Sequence, residues 1–200
     1  MIVIGDEILK GQTQDKNLYF LGKFLKNHSL ELSTTQIIKD EVEEIVLALT
    51  NYLKNYDLVI CSGGLGPTRD DRTKLALSQL TKSDLIPNKE AAKLVTGHYE
   101  KREKEWNPEL NNYHLLPKDV LPIKNPAGLA PGLFFKHSNG NKLICAPGVP
   151  REFQEMIKTF LYEEDILERP NSSAQLYIMT HGIPEEKIFN ELCPKLWSEL

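Results

Sequence analysis

Residues 57–62, Asp-Leu-Val-Ile-Cys-Ser, form an apolar run that ends in Gly63-Gly64-Leu65-Gly66-Pro67-Thr68. A run of this kind reads as a strand buried on both faces of a parallel sheet. Three glycines in four positions then end the strand and let the backbone turn sharply, close to whatever lies opposite. Parallel strands need long crossover connections, so the rest of the chain must supply further strands alternating with helices.

The pattern meets that demand. Residues 1–5 read as a strand and 15–27 as a helix with Leu18, Leu21, Phe24 and Leu25 on one face. Residues 31–39 read as a second strand and 40–54 as a helix that aligns Val42, Ile45, Val46 and Leu49. Helices over 70–80 and 88–104 follow the 57–62 strand. Residues 106–125 hold Pro108, Pro117 and Pro122 and read as loop with at most short helices. Strand-like stretches 133–136 and 142–146 flank Asn139-Gly140, a hairpin signal, and 151–162 reads as the last helix. The expectation is a three-layer α/β fold with a mostly parallel sheet and its ligand at the carboxyl ends of the strands.

With an apolar run at residues 1–4, the chain is expected to begin at its first strand, without a leader. A strand over 174–179 and a helix over 184–197 are too few residues to bury a core of their own. The organisation expected is therefore one domain over 1–168 and the opening of a second over 171–200.

Charge narrows the partners. Twenty-four basic against 28 acidic residues give a net charge of −4, which offers no general attraction to nucleic acid or to an acidic membrane surface. An anionic ligand must be held locally. No apolar run approaches a spanning helix, and a cytoplasmic protein is expected. Cys61, Cys145 and Cys193 are odd in number and far apart, which fits reduced, buried thiols better than a disulfide framework or zinc.

Three predicted strand ends carry chemistry: Gly5-Asp6-Glu7, residues 62–71, and residues 146–152. Gly63, Gly64 and Gly66 can point backbone N–H groups at phosphate oxygens, with a helix start near residues 68–71 facing the same space. The spacing is neither a Walker loop nor a dinucleotide fingerprint. Asp70 and Asp71 beside such a cradle read either as helix caps or as carboxylates that share a divalent cation with substrate phosphates. Arg69 or Arg72 could add positive charge. Asp40 reads as the N-cap of its helix or as a second acid, Asp6 and Glu7 as turn residues or site acids, and Pro147-Gly148-Val149-Pro150 as a rigid entry into a helix. The five histidines share no ligand spacing, although His114 falls in the proline-rich loop that could cross the site.

Four stretches together resemble a known family: Ile4-Gly-Asp-Glu-Ile-Leu-Lys-Gly-Gln12 with Asn17, the 62–73 stretch Ser-Gly-Gly-Leu-Gly-Pro-Thr-Arg-Asp-Asp-Arg-Thr, Asn125-Pro-Ala-Gly-Leu-Ala-Pro-Gly132, and Pro147-Gly-Val-Pro-Arg-Glu152. They are similar to the competence/damage-inducible CinA family, whose N-terminal part belongs to the molybdopterin-binding fold superfamily of the MoaB and MogA proteins. Residues 180–186 are similar to the opening of the KH-like domain that follows in CinA proteins, and the C-terminal domain that deamidates nicotinamide mononucleotide in full-length members is not expected here. The resemblance implies a metal-dependent, K⁺-stimulated hydrolase that splits ADP-ribose into AMP and ribose 5-phosphate, with Mg²⁺, Co²⁺ or Mn²⁺ as cofactor. Carried over by position, it implies acids at Asp71 and Asp40 and phosphate contacts from Gly63, Gly64, Gly66, Thr73, Pro147, Gly148 and Glu152. From their places at the strand ends, Gly5, Glu7 and Thr68 are expected to join the phosphate site and Asp70 with Asp71 to hold the metal, Asp71 and Asp40 being the expected catalytic residues. The chain departs from the family pattern at Leu129, where Thr is frequent, at Ser29, where Gly is usual, and across 110–116.

The leading expectation is a nucleotide pyrophosphate hydrolase, ADP-ribose being the substrate and FAD also considered. The alternative is a module that binds molybdopterin or another pterin phosphate without cleaving it, and a third reading is a regulatory subunit with a decayed site. A homo-oligomer is expected.

Overall fold

The computed structural model describes residues 1–68, 71–163, 166–167, 179–192 and 195. The chain divides into two compact units, Met1–Arg169 and Pro170–Leu200. In the first unit β1 (Ile2–Ile4), α1 (Asp6–Leu9), α2 (Asn17–Lys26), β2 (Gln36–Ile38), α3 (Val42–Asn55), β3 (Leu58–Ser62) and α4 (Thr73–Thr81) follow in order. After them come β4 (Ile86–Pro87), α5 (Lys89–Glu100), β5 (Leu115–Leu116), β6 (Val120–Ile123), β7 (Gly132–Lys136), β8 (Lys142–Ala146) and α6 (Pro150–Glu163).

Six strands form one sheet in the order β2-β1-β3-β8-β7-β6, and β4 pairs with β5 in a separate antiparallel ribbon. The β2, β1, β3 and β8 strands run parallel, while β7 and β6 are antiparallel additions at one edge. The strand residues alternate between two cores. Ile2, Ile4, Val59, Cys61, Leu143 and Cys145 pack on one face with Ile45 and Leu49 of α3 and Leu77 of α4. Val3, Ile60, Ile144 and Ala146 face the other way, toward Leu21 and Phe24 of α2 and Phe153, Met156 and Leu161 of α6. Burial on both faces is why these strands read as continuous apolar runs. Cys61 and Cys145 are free and buried.

Several boundaries differ from the sequence reading. The strand expected over 31–39 contracts to Gln36–Ile38, because its only partner among the described residues, β1, has three residues to offer before Gly5 turns away. The turn after β1 forms the short α1, which the sequence did not announce. α4 starts at Thr73, not at residues 68–71, since the intervening loop is closed on itself by Asp71. α5 ends at Glu100, with Glu103 beyond it in the left-handed region at φ 55. Residues 106–125 are not all loop. They contain β5 and β6, and Pro122 sits in β6 because that strand is the sheet edge, where a missing N–H costs little.

In the second unit the described residues form a short helix, α7 (Glu185–Lys187), that continues as a π-helical turn over Ile188–Leu192. Residues 174–178 of the expected strand lie outside the described residues. No helix among the described residues is long and apolar enough to cross a membrane.

Helix α2 ends in a motif that explains one departure from the family pattern. Leu30 N donates to Leu25 O and Ser29 N to Lys26 O, which leaves Ser29 left-handed at φ 58. This is a Schellman end with serine at the position that glycine fills most easily. Ser29→Gly is therefore expected to stabilise the fold by about 0.5–1 kcal/mol in urea unfolding; a loss of stability would contradict this reading.

Candidate functional site

The carboxyl ends of β1, β3 and β8 lie side by side, with Ser62 in register with Val3 on one side and Ala146 on the other. The turns that leave these three strands converge. Gly63 passes so close to the carbonyl oxygen of Ile4 that a Cβ there would collide with it, and its φ of 112 suits glycine alone. Gly63 N donates to Ala146 O at 3.0 Å. Asn17, at the start of α2 and 1% exposed, joins the ends of β3 and β8. Its Nδ2 donates to Ser62 Oγ and to Gly148 O, each at 2.8 Å.

Thr73 folds the turn back onto α4. Its hydroxyl donates to Gly63 O at 2.9 Å and its N–H to Gly64 O at 3.1 Å. Asp71 closes the rest of the loop, accepting from Thr68 N at 2.9 Å and from the Thr68 hydroxyl. Between these ties the N–H groups of Gly64, Leu65 and Gly66 meet no acceptor among the described residues, and neither do those of Gly148 and Val149 across the junction. Backbone donors need a partner. These five belong to residues that line one cleft of about 1110 Å³, enough for a nucleotide-sized ligand.

The acids at the rim are tied to one another. Asp6 N donates to Asp40 Oδ2 at 2.8 Å, so Asp40 serves the first residue of α1 rather than capping α3, whose N-cap residue is Glu41 and makes no side-chain cap bond. The N-cap reading of Asp40 is thereby corrected. Lys10 pairs with Asp6 at 2.7 Å and holds its carboxyl below the usual range. Burial pushes the Asp40 carboxyl up, and the charges of Glu7, Asp6 and Asp71 add to the shift. The cleft lining carries six carboxylates against three basic side chains, Lys10, Arg72 and Arg102, among the described residues.

Across the cleft, Glu152 of α6 lies against the backbone of Gly128, in the space a Cβ there would fill. Its Oε2 accepts from Asn125 at 2.6 Å, and Asn125 also receives the N–H groups of Ala127 and Gly128. Glu152 thus holds the 125–130 loop. Tyr113 is buried in the same wall, and its hydroxyl is pushed up to about 12 by burial, with Asp71, Tyr99 and Glu152 adding to the shift. Behind the turn, Lys74 of α4 is 5% exposed, and burial lowers its ammonium to about 8.

The structure therefore gathers Glu7, Asp40, Gly63, Gly64, Gly66, Asp71, Pro147, Gly148 and Glu152 around one cleft. Gly5 and Thr68 stand outside its lining, Gly5 tied to Ile38 O and Thr68 to Asp71. Thr73 is fully buried with its hydroxyl proton given to Gly63, so it shapes the cradle instead of touching a ligand. Asp70 and Arg69 lie outside the described residues. Among the described residues no group of three or more Asp, Glu, His or Cys could hold a metal ion by itself. A cation shared with a ligand's phosphates would need only one or two protein carboxylates. Sequence reasoning missed Lys74, Arg102 and Tyr113. Lys74 had one signal, a charge on the same inward face as Leu77, while Leu75 points to solvent.

A family model described as a probable molybdopterin binding domain matches residues 1–168. A CinA-like protein of Fusobacterium nucleatum is 32% identical over 190 residues, which are 92% of this chain and 45% of that protein, so the chain spans less than half of its length. The crystal structure of the protein CinA from Thermoplasma acidophilum, described as of unknown function, is 35% identical. It superposes with a TM-score of 0.73 over 84% of this chain and 97% of that one. The molybdopterin biosynthesis enzyme MoaB from Thermus thermophilus superposes with a TM-score of 0.54 over 82% of this chain and 90% of that one, at 20% identity, a likeness of fold alone.

The burial of Lys74 makes stability depend on pH. Its folded value near 8 lies below the ordinary 10.5 of the unfolded chain. Between the two the unfolded chain binds the extra proton, so stability rises with pH there and is lost as pH falls through 8. From about pH 7.5 to about pH 9.5 the parent should gain about 1–2 kcal/mol over Lys74→Met in urea unfolding. An unchanged difference would exclude a buried ammonium.

Proposed function

Because this chain belongs to the CinA family and carries its MoaB/MogA-like domain, we propose that it is a metal-dependent nucleotide pyrophosphate hydrolase that converts ADP-ribose to AMP and ribose 5-phosphate. The observation that carries this reading is that the N–H groups of Gly64, Leu65, Gly66, Gly148 and Val149 have no acceptor among the described residues, while these residues all line one cleft. Such donors suit the oxygens of a diphosphate. Six carboxylates around them would repel that ligand unless a cation stands between. Asp71, with Asp70, would hold a divalent ion, and K⁺ is a further candidate. When bound, the divalent ion would polarise a phosphoryl oxygen and lower the pKa of water.

The chain's own groups then divide the work. The turn amides orient the diphosphate, and Arg72 and Arg102 add positive charge at the cleft. Asp40, its carboxyl raised by burial and by neighbouring acids, takes the proton from the attacking water. The water oxygen joins one phosphorus, and the bridging oxygen leaves with the other. Tyr113 and the 125–130 loop held by Glu152 enclose the rest of the ligand.

A second reading, binding of a pterin phosphate without hydrolysis, is favoured by the family model, whose description is a probable molybdopterin binding domain. The chain incubated with ADP-ribose, FAD or molybdopterin, with Mg²⁺ or Co²⁺ plus K⁺, separates the two by mass spectrometry. Cleavage of ADP-ribose supports the hydrolase, and binding of molybdopterin alone supports the second reading. Asp71→Asn keeps an oxygen for Thr68 but removes the charge, so it should abolish metal-dependent turnover while the unfolding midpoint holds. Asp40→Asn should lower kcat by about 10²–10⁴-fold. Parent-like rates in both variants would sink the hydrolytic assignment of these acids.

A further inference from the structure

The first turn of α4 carries two consecutive buried polar residues that reach in opposite directions. Thr73 reaches back to Gly63 and sets the cradle. Lys74 reaches across to Asn112, where its Nζ donates to the carbonyl oxygen at 2.5 Å and to Oδ1 at 2.8 Å. Lysine is seldom buried without a carboxylate partner, and among the described residues Lys74 makes no ion pair. Packing does not call for a charge here, since Leu77 fills the next position of the same face. Removing an ammonium from water is unfavourable. A methionine would occupy this space without that penalty, so the lysine is held for what it does to Asn112.

Asn112 belongs to the segment 101–114 that joins α5 to β5. Apart from the Arg102 guanidinium, which donates back to His98 O of α5 at 2.9 Å, the ties of this segment include bonds between neutral groups: Trp106 Nε1 to Asn111 Oδ1 at 3.1 Å, Asn111 Nδ2 to the Tyr99 hydroxyl at 3.3 Å, and Asn88 N to His114 O at 2.8 Å. Hydrogen bonds from a charged donor are the stronger kind. This segment gives the cleft Arg102 and Tyr113, and Tyr113 is the neighbour of Asn112. One helical turn therefore sets the glycine turn through Thr73 and, through Lys74, the segment that supplies Arg102 and Tyr113 to the same cleft.

The geometry points to Lys74 as a positioning residue: through Asn112 it latches segment 101–114 to the first turn of α4, fixing Tyr113 against the cradle and setting affinity for the ligand portion beyond the phosphates. The effect on affinity rests on the reading that the cleft binds a nucleotide diphosphate. The latch itself does not.

The test compares Lys74→Met, which removes the donor, with Lys74→Gln, which is neutral but can still donate to Asn112. Calorimetry with Mg²⁺ uses two probes, ADP-ribose and inorganic pyrophosphate. Lys74→Met should weaken ADP-ribose by at least about tenfold and leave pyrophosphate nearly unchanged, while Lys74→Gln stays close to the parent. In a Tyr113→Ala background Lys74→Met should add little further loss, which a general loss of stability would not produce. Equal weakening of both probes, no rescue by glutamine, or simple additivity with Tyr113→Ala would overturn the proposal.

Hydrogen exchange reads the latch without any ligand. Lys74→Met should speed exchange across 106–114 and spare β3; uniform acceleration, or none, contradicts it. Asn112→Ala gives the same reading from the other end of the contact should Lys74→Met fail to fold. Parent protein that binds neither probe would defeat the hydrolase reading, and the exchange data would still decide the latch.

Discussion

The backbone of Gly63 runs against the carbonyl oxygen of Ile4, and the arrangement of the site follows from that approach. No side chain fits between the two strands at this level, so β1 and β3 end together and their loops start from a common point. Thr73 and Asn17 then exploit the closeness. Thr73 ties the turn to α4, and Asn17 ties the ends of β3 and β8 to α2. Helices from both layers are thereby fixed to the same few peptide groups. The bracing engages Gly63 O and Gly64 O and leaves the N–H groups of Gly64, Leu65 and Gly66 without an acceptor among the described residues.

Electrostatics turn that scaffold toward a particular chemistry. A row of backbone donors alone would favour an anion, and the six carboxylates around it would oppose one. The two tendencies agree when a cation is bound along with the anion. Asp40 records the strain among these acids, its carboxyl raised by burial and by three acidic neighbours. The chain's net charge of −4 is in this sense irrelevant to ligand choice, because the donors and acids act over a few ångströms.

Much of this was legible in the sequence where one local cause dominated. The 57–62 strand was clear because burial on both faces leaves an unbroken apolar run, and the Asn139-Gly140 hairpin because its turn chemistry is specific. The cradle glycines and the Pro147-Gly148 turn were legible as strand ends. Features set by contacts distant in sequence were not. Asp40 looked like a cap for its own helix, yet it serves the N–H of Asp6, 34 residues earlier. Thr73 reads as a plausible phosphate ligand until its hydroxyl is found spent on Gly63. Pro122 argued for loop, because a sequence does not show that a strand lies at the sheet edge. Tyr113 had no local signal, and Asn125 with Glu152 becomes a loop anchor only once α6 packs beside residues 125–130.

On the proposed function, the β3 and β8 turns receive the phosphates of the ligand together with a cation. Amide chemical shifts in ¹⁵N-labelled protein, titrated with ADP-ribose in the presence and absence of Mg²⁺, test it most directly. The account requires the largest changes at Gly64, Leu65, Gly66, Gly148 and Val149, and requires them to depend on Mg²⁺. Shifts that fall elsewhere, or that are the same without the metal, would contradict it.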